Sequence, residues 1–237
     1  MRRYIYFVFL LCCAVNLLLT SCVRQKYVVM DMVHHNPGEA MTESKFLDPS
    51  FLKKNEYGAK VFFLFEAAQF GIDWKSFDPS LFPATTEAGR WVAEKAEIIH
   101  KKYDAAKKED LQVYCMLDML VLPSLLVEKH RTELTNEQGK LDISKPYTQL
   151  CIRELMKEMF ETFPQLDGLV IRTGETYLHD APYYVGNHPV QNGMYDHITL
   201  INLLREEVCE RRNKKLFYRT WDLSLIHISE PTRLQLI

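Results

Sequence analysis

The run Lys60-Val61-Phe62-Phe63-Leu64-Phe65-Glu66 constrains this chain most, because five apolar residues stand between two charges with no alternation. A strand with one wet face alternates polar and apolar side chains. A short run apolar on both faces belongs in a parallel sheet covered on both sides. Four further β-prone runs accompany it: Tyr27–Val33, Leu111–Leu120, Gly168–Arg172 and Leu216–Trp221. Helical signals fall between them. Asp48-Pro49 opens a short helix that Gly58 ends, with Asp as N-cap and Pro at the first helical position. Thr85 or Thr86 caps a helix running to about Lys108, with Trp91, Ala93, Ile98 and Ala105 as its apolar positions. Tyr147–Phe163 is amphipathic through Leu150, Ile152, Leu155, Met156, Met159 and Phe160, and Pro164 stops it. Another helix runs from about Tyr195 to Arg212.

Strand starts lie about 35–55 residues apart, and one strand–helix unit takes ~30 or more. Such alternation predicts a parallel α/β sheet, either doubly wound or closed into a barrel. Two features favour the barrel. His34-His35-Asn36-Pro37, not a glycine-rich phosphate turn, follows the first strand. Polar and aromatic residues also collect after every strand, where barrel sites are built. The expected fold is an incomplete (β/α)8 TIM-type barrel, about the first five strands.

Both ends read as additions to that domain. Arg2-Arg3 and the apolar stretch Tyr4–Leu19 form an export signal, too short for the ~20 apolar residues of a membrane span. Leu19-Thr20-Ser21-Cys22 resembles the lipobox of bacterial lipoproteins, in which cleavage leaves a lipidated cysteine. Residues 1–21 are therefore expected to be a lipoprotein signal peptide. Cys22 is the expected lipidation site, anchoring the chain in the cell envelope at the outer membrane or the periplasmic face. Leu223–Arg233 reads LSLIHISEPTR, which resembles the translation of a common transposon-tagging sequencing adapter. Residues 223–237 are expected to be artefactual, leaving 22–222 as a truncated barrel domain. Of the 237 residues, 47% are hydrophobic and 25% charged, the balance of a folded domain. A net charge of −2 gives no basic excess for nucleic acid.

The densest chemistry lies in Asp167-Gly168-Leu169-Val170-Ile171-Arg172-Thr173-Gly174-Glu175. The strand delivers Arg172 and Glu175 to the C-terminal edge of the sheet. Glycosidic cleavage needs a carboxylic acid to protonate the leaving oxygen and a second carboxylate opposite it, and Glu175 is the candidate acid. Arg172 either forks a sugar carboxylate, sets the ionisation of Glu175, or ties the loop through an ion pair. Arg219-Thr220-Trp221-Asp222 echoes Arg172-Thr173-Gly174-Glu175, with an acid three residues after each arginine. Arg219, Trp221 and Asp222 are therefore candidate sugar-binding residues, Trp221 by stacking on a sugar face. Glu66, Asp118, His34 and Tyr183 join them, and Gln69 and Asp73-Trp74 are weaker members of the same set.

Adjacent His34 and His35 point to opposite faces of a strand, so they do not supply the His-x-His pair of metal-dependent hydrolase barrels. No other set has convincing ligand spacing, and neither metal nor cofactor is expected. Cys115, Cys151 and Cys209 read as small buried hydrophobes. No nucleophile elbow is present.

The strand ends Val33-His34-His35-Asn36-Pro37-Gly38-Glu39, Phe65-Glu66-Ala67-Ala68-Gln69, Asp167–Glu175 and Tyr218–Asp222 resemble those of (β/α)8 glycoside hydrolases from Bacteroidetes-type lipoproteins, of the α-glucuronidase and hexosaminidase kind. The resemblance implies a carbohydrate substrate and an acid/base at the end of strand four, where Glu175 falls. The usual Asn-Glu pair is absent, since Gly174 precedes Glu175. A second carboxylate late in such a barrel implies that 22–222 alone lacks activity. A non-catalytic surface glycan-binding lipoprotein and a metal-dependent hydrolase are the alternatives.

Overall fold

Five parallel strands lie side by side in the order in which the chain makes them. The computed structural model describes residues 29–31, 45–63, 66–173, 176, 178 and 180–220. The strands are β1 (Met30–Asp31), β2 (Ala59–Phe62), β3 (Gln112–Asp118), β5 (Leu166–Thr173) and β7 (Lys215–Thr220). Two more, β4 (Val121–Pro123) and β6 (Tyr184–Gly186), form a separate antiparallel pair. Helices α1 (Pro49–Lys54), α2 (Glu87–Lys108), α3 (Ser124–Lys129), α4 (Arg131–Leu134), α5 (Pro146–Thr162) and α6 (Met194–Leu204) fill the intervals. The chain is a mixed α/β protein with a parallel sheet, and the strand positions follow the apolar runs closely.

Cap chemistry sets the helix starts. Asp48 accepts from Ser50 N at 2.9 Å and Pro49 opens α1. The helix ends at an Asn55 cap, three residues before Gly58, because Asn55 turns its own N–H and side chain back onto carbonyls of the last turn. Thr86 caps α2 by accepting from Gly89 N at 3.0 Å, with Glu87 in the first turn and Lys107 and Lys108 in the last.

The buried face of α2 differs from the sequence expectation. Gly89, Val92, Ile99, Tyr103 and Ala106 face the core, whereas Ala93 and Ala105 are exposed, Trp91 is half-buried and Ile98 is 45% exposed. Apolar residues lie on both sides of this helix. Tyr103 fixes its rotation, being fully buried with its hydroxyl donating to Glu66 O at 2.9 Å. In α5 the core face is Cys151, Ile152, Leu155, Met156 and Met159, and Leu150 points outward. The last helix is not uniform: α6 passes into a π-helical segment at Arg205–Glu210. There the buried Glu207 holds Arg153, Arg211 and Arg212.

The two faces of the sheet have different neighbours. Phe62, Val113, Cys115, Leu117, Leu169 and Ile171 share one core with the residues of α2, α5 and α6. The opposite face carries Ala59, Val61, Phe63, Tyr114, Met116 and Val170, a cluster to which no described helix contributes. Side chains on it meet over an intervening strand: the Arg172 guanidinium lies 4.8 Å from the Phe63 ring across β3, and Tyr114 meets Phe217 at 5.4 Å across β5. Strands are ~4.8 Å apart, so these long side chains span the roughly 10 Å between alternate strands. Gly168 sits in the row Val61–Tyr114–Gly168–Lys215, where a Cβ would come 2.1 Å from the Lys215 carbonyl oxygen.

The segment between β3 and α5, residues 121–145, is structured. It holds β4, α3 and α4, and β4 pairs with β6 from the loop after β5. Asn187 reinforces the junction. Its Oδ1 accepts from Leu141 N at 2.7 Å, its Nδ2 donates to Leu141 O at 3.0 Å, and its backbone exchanges two hydrogen bonds with Leu120. No helix among the described residues is long and apolar enough to cross a membrane.

Candidate functional site

The face that no described helix covers ends, at the C-terminal edge of the strands, in a row of three charges. Asp118, Arg172 and Arg219 are register partners on β3, β5 and β7. Residues in register on parallel strands point the same way. The Arg–Thr echo seen in the sequence is thus a spatial one: Arg172 pairs with Arg219, and Thr173 with Thr220.

Arg172 and Asp118 form a two-bonded pair, Nε to Oδ1 at 2.5 Å and Nη2 to Oδ2 at 2.8 Å. Both are buried, and the guanidinium plane rests near Phe63. Such fork geometry fixes the direction of the guanidinium as well as its position. Arg219 is only partly buried beside it. Phe217 one layer below and Tyr114 two layers below form the apolar floor, and burial pushes the Tyr114 phenol up to about 12, with Asp167 adding to the effect. The site therefore has an apolar aromatic base and a charged rim of planar donors, a combination suited to a ligand with a carbon face and many hydroxyls.

The other candidate residues are placed differently. Glu66, beyond the end of β2, pairs with Lys102 of α2. Tyr183 packs on Trp91 at 5.8 Å, within an aromatic group that also holds Phe70, Phe82 and Tyr184. Trp74 is fully buried against Phe77, so it is a core residue with no sugar-facing side, and Asp73 caps Lys75 N. Gln69 is buried, with Oε1 lacking a hydrogen-bond partner among the described residues. Glu175, Trp221, Asp222, His34 and Cys22 lie outside the described residues.

Sequence reasoning missed Phe63, Tyr114 and Phe217 as the floor, since each reads as an ordinary strand residue. Their shared parity with Asp118, Arg172 and Arg219 along the strands was the available signal. Among the described residues no group of three His, Cys, Asp or Glu side chains is placed to hold a metal. Cys115 and Cys151 are buried thiols, each pushed up to about 12 by burial.

No protein-family model matches this chain, and no curated protein does. Two solved structures show a distant likeness. A GH138 enzyme targeting pectin rhamnogalacturonan II aligns at 16% identity and TM-score 0.36, over 55% of this chain and 14% of that one. The noncanonic maltogenic α-amylase AmyB from Thermotoga neapolitana aligns at 14% identity and TM-score 0.44, over 81% of this chain and 44% of that one. The chain thus spans less than half the length of either structure.

Proposed function

We propose that residues 22–222 are the leading part of a (β/α)8 barrel of glycoside hydrolase type, and that the charged row at its C-terminal edge binds carbohydrate. The observation that carries this reading is the alignment of Asp118, Arg172 and Arg219 in one row above an aromatic floor. Strands added in chain order and, among the described residues, helices packed on one face only suit a barrel better than a doubly wound sheet. In that frame Asp118 holds Arg172 in place, and Arg172 and Arg219 present N–H donors to sugar hydroxyls or a sugar carboxylate. Glu175, three residues beyond Arg172 in sequence, is the proposed acid, and Trp221 and Asp222, which follow Thr220 in sequence, are proposed sugar-binding residues. Export and lipidation at Cys22 would put this edge outside the cytoplasm, at the cell envelope, where polysaccharide fragments are met.

The test is calorimetric titration of the full chain with neutral and uronic-acid oligosaccharides, repeated on Arg219→Ala. Binding of at least one class, weakened tenfold or more by Arg219→Ala with unchanged circular dichroism, supports the reading. Absence of binding at millimolar sugar defeats it. Binding indifferent to Arg219→Ala moves the sugar elsewhere on the molecule.

A further inference from the structure

We infer that Asn192 is a site of spontaneous covalent modification, and that its conversion to isoaspartate by solvent water releases the first turn of α6. The sequence holds one Asn-Gly step, Asn192-Gly193, and it stands directly before that helix. A glycine after asparagine leaves its backbone nitrogen unshielded, so that nitrogen can approach the carboxamide carbon of the residue before it. Both residues are exposed here. Gly193 has φ 63°, and a Cβ at that position would meet nothing within 4 Å. Among the described residues its amide donates no hydrogen bond, so the attacking nitrogen is free. The Asn192 carboxamide has one long bond, Nδ2 to Asp196 Oδ1 at 3.4 Å. Asn136 and Asn187 differ on both counts: Glu137 and His188 follow them, and their side chains are held by the backbone of Gln138, Lys140 and Leu141.

The reaction exchanges ammonia for water. Gly193 N gives up its proton and bonds to Asn192 Cγ. The Cγ–Nδ2 bond breaks, and the amide nitrogen leaves as ammonia with that proton. A five-membered succinimide remains. Water then opens the ring, its hydroxyl going to one of the two carbonyl carbons and its other proton to Gly193 N. Opening at the backbone carbonyl of residue 192 gives isoaspartate, in which the main chain runs through Cβ and Cγ. Opening at Cγ gives aspartate. Nothing is oxidised or reduced, and a neutral side chain becomes a carboxylate.

The turn is anchored on both sides of the bond that changes. Asp196 is fully buried, and its Oδ2 accepts from Gln191 N and Asn192 N at 2.6 Å each. Just beyond, Gly193 O accepts the first bond of α6, from His197 N at 3.5 Å. Isoaspartate inserts one carbon into the main chain between those two anchors. Either product also puts a carboxylate where the carboxamide now meets Asp196, and like charges that close repel. Met194 and Tyr195 are 60% and 67% exposed, so packing does not hold the turn in place of Asp196. His197, whose Nδ1 lies 2.9 Å from the Tyr218 hydroxyl, rides on the same turn.

Ageing the full chain at pH 8 and 37 °C, with peptide mapping by mass spectrometry at intervals, tests the modification. The expected result is a gain of about one dalton at Asn192, at least tenfold faster than at Asn136 or Asn187, with isoaspartate identified by electron-transfer fragmentation. Asn192→Gln should abolish it, because the longer side chain would have to close a six-membered ring. Hydrogen exchange tests the consequence. The amides of residues 196–199 should exchange at least tenfold faster in the aged protein than in the fresh one, while those of β5 stay as they were. Aged Asn192→Gln should keep the protection of the fresh protein, and the comparison of aged with fresh parent decides should that variant not fold. Conversion at Asn192 no faster than at Asn136 overturns the inference. So does conversion that leaves the α6 amides as protected as before, or equal loosening in aged Asn192→Gln. Each of these results is independent of whether the C-terminal edge binds sugar.

Discussion

Asp118 and Arg172 are at once register partners on adjacent strands and a buried, two-bonded ion pair. Removing one member of such a pair strands a charge in a site with little access to water, at a cost of about 3–5 kcal/mol. Asp118→Ala is therefore expected to lower the unfolding free energy by about that amount. Replacing both, Asp118→Leu with Arg172→Met, should recover most of the loss, because the desolvation cost disappears with the charges. Urea denaturation of the single and double variants checks both statements. A loss below about 1 kcal/mol for Asp118→Ala would mean that the pair is solvated.

Gly89 reverses an ordinary expectation. Glycine inside a helix usually costs about 0.5–1 kcal/mol relative to alanine. Here an added Cβ would stand 2.1 Å from the Pro83 carbonyl oxygen, which also receives the Thr86 hydroxyl at 2.7 Å. Gly89→Ala is expected to destabilise, and by more than the roughly 1 kcal/mol that loss of the cap in Thr86→Ala costs. Thermal midpoints of the two variants give the order.

Asp78 confers acid sensitivity on the loop between the Ala68–Gly71 turn and α2. Its carboxylate takes a hydrogen bond from Lys129 of α3 at 2.8 Å and bonds from the Ser80 side chain and backbone. Lys129 first, and then Ser80, lower it from 3.8 to about 2. A carboxylate lowered on folding contributes stability that is fully present above its unfolded value and fades as pH falls toward the folded one. The contribution should therefore be constant above pH ~5 and decline between pH ~4 and 2. Solvent screening holds it to about 1 kcal/mol. The stability difference between the parent and Asp78→Asn, measured at pH 6, 4 and 2.5, is expected to shrink in that order.

The cysteines should separate under alkylation. Thiolates react and thiols do not. Burial keeps Cys115 and Cys151 protonated at any ordinary pH, and Cys115 Sγ also accepts from Ala68 N at 3.2 Å. Cys209 is only half-buried. Iodoacetamide at pH 8 followed by peptide mapping should label Cys209 in the native protein. Cys115 and Cys151 should be labelled only after denaturant is added.

Features set by local physics were readable in the sequence. The five strands stood out because each is apolar beyond what one wet face allows. Thr86 and the Asp48-Pro49 step were readable as helix starts, because capping needs only neighbours in sequence. The rotation of α2 was not, since its apolar residues lie on two sides and the choice belongs to Tyr103 and its distant acceptor in Glu66. The pairing of Val121–Pro123 with Tyr184–Gly186 left no periodic signal, as three residues are too few to show one. At the candidate site the repeated Arg-Thr was visible in the sequence. That Arg172 answers to Asp118 was not, because only strand register joins residues 54 positions apart.

The β4–β6 ribbon changes what counts as a module in this protein. In repetitive strand–helix architectures each connecting loop is commonly treated as an independent cassette, free to be exchanged or lengthened while its neighbours stay. Here Leu120 and Asn187 exchange backbone bonds, and Asn187 also grips Leu141, so the loops after β3 and β5 share one hydrogen-bonded frame. Neither can be grafted into another scaffold, or drift far in sequence, without the other following. The two segments are a single heritable piece, written in two places along the gene.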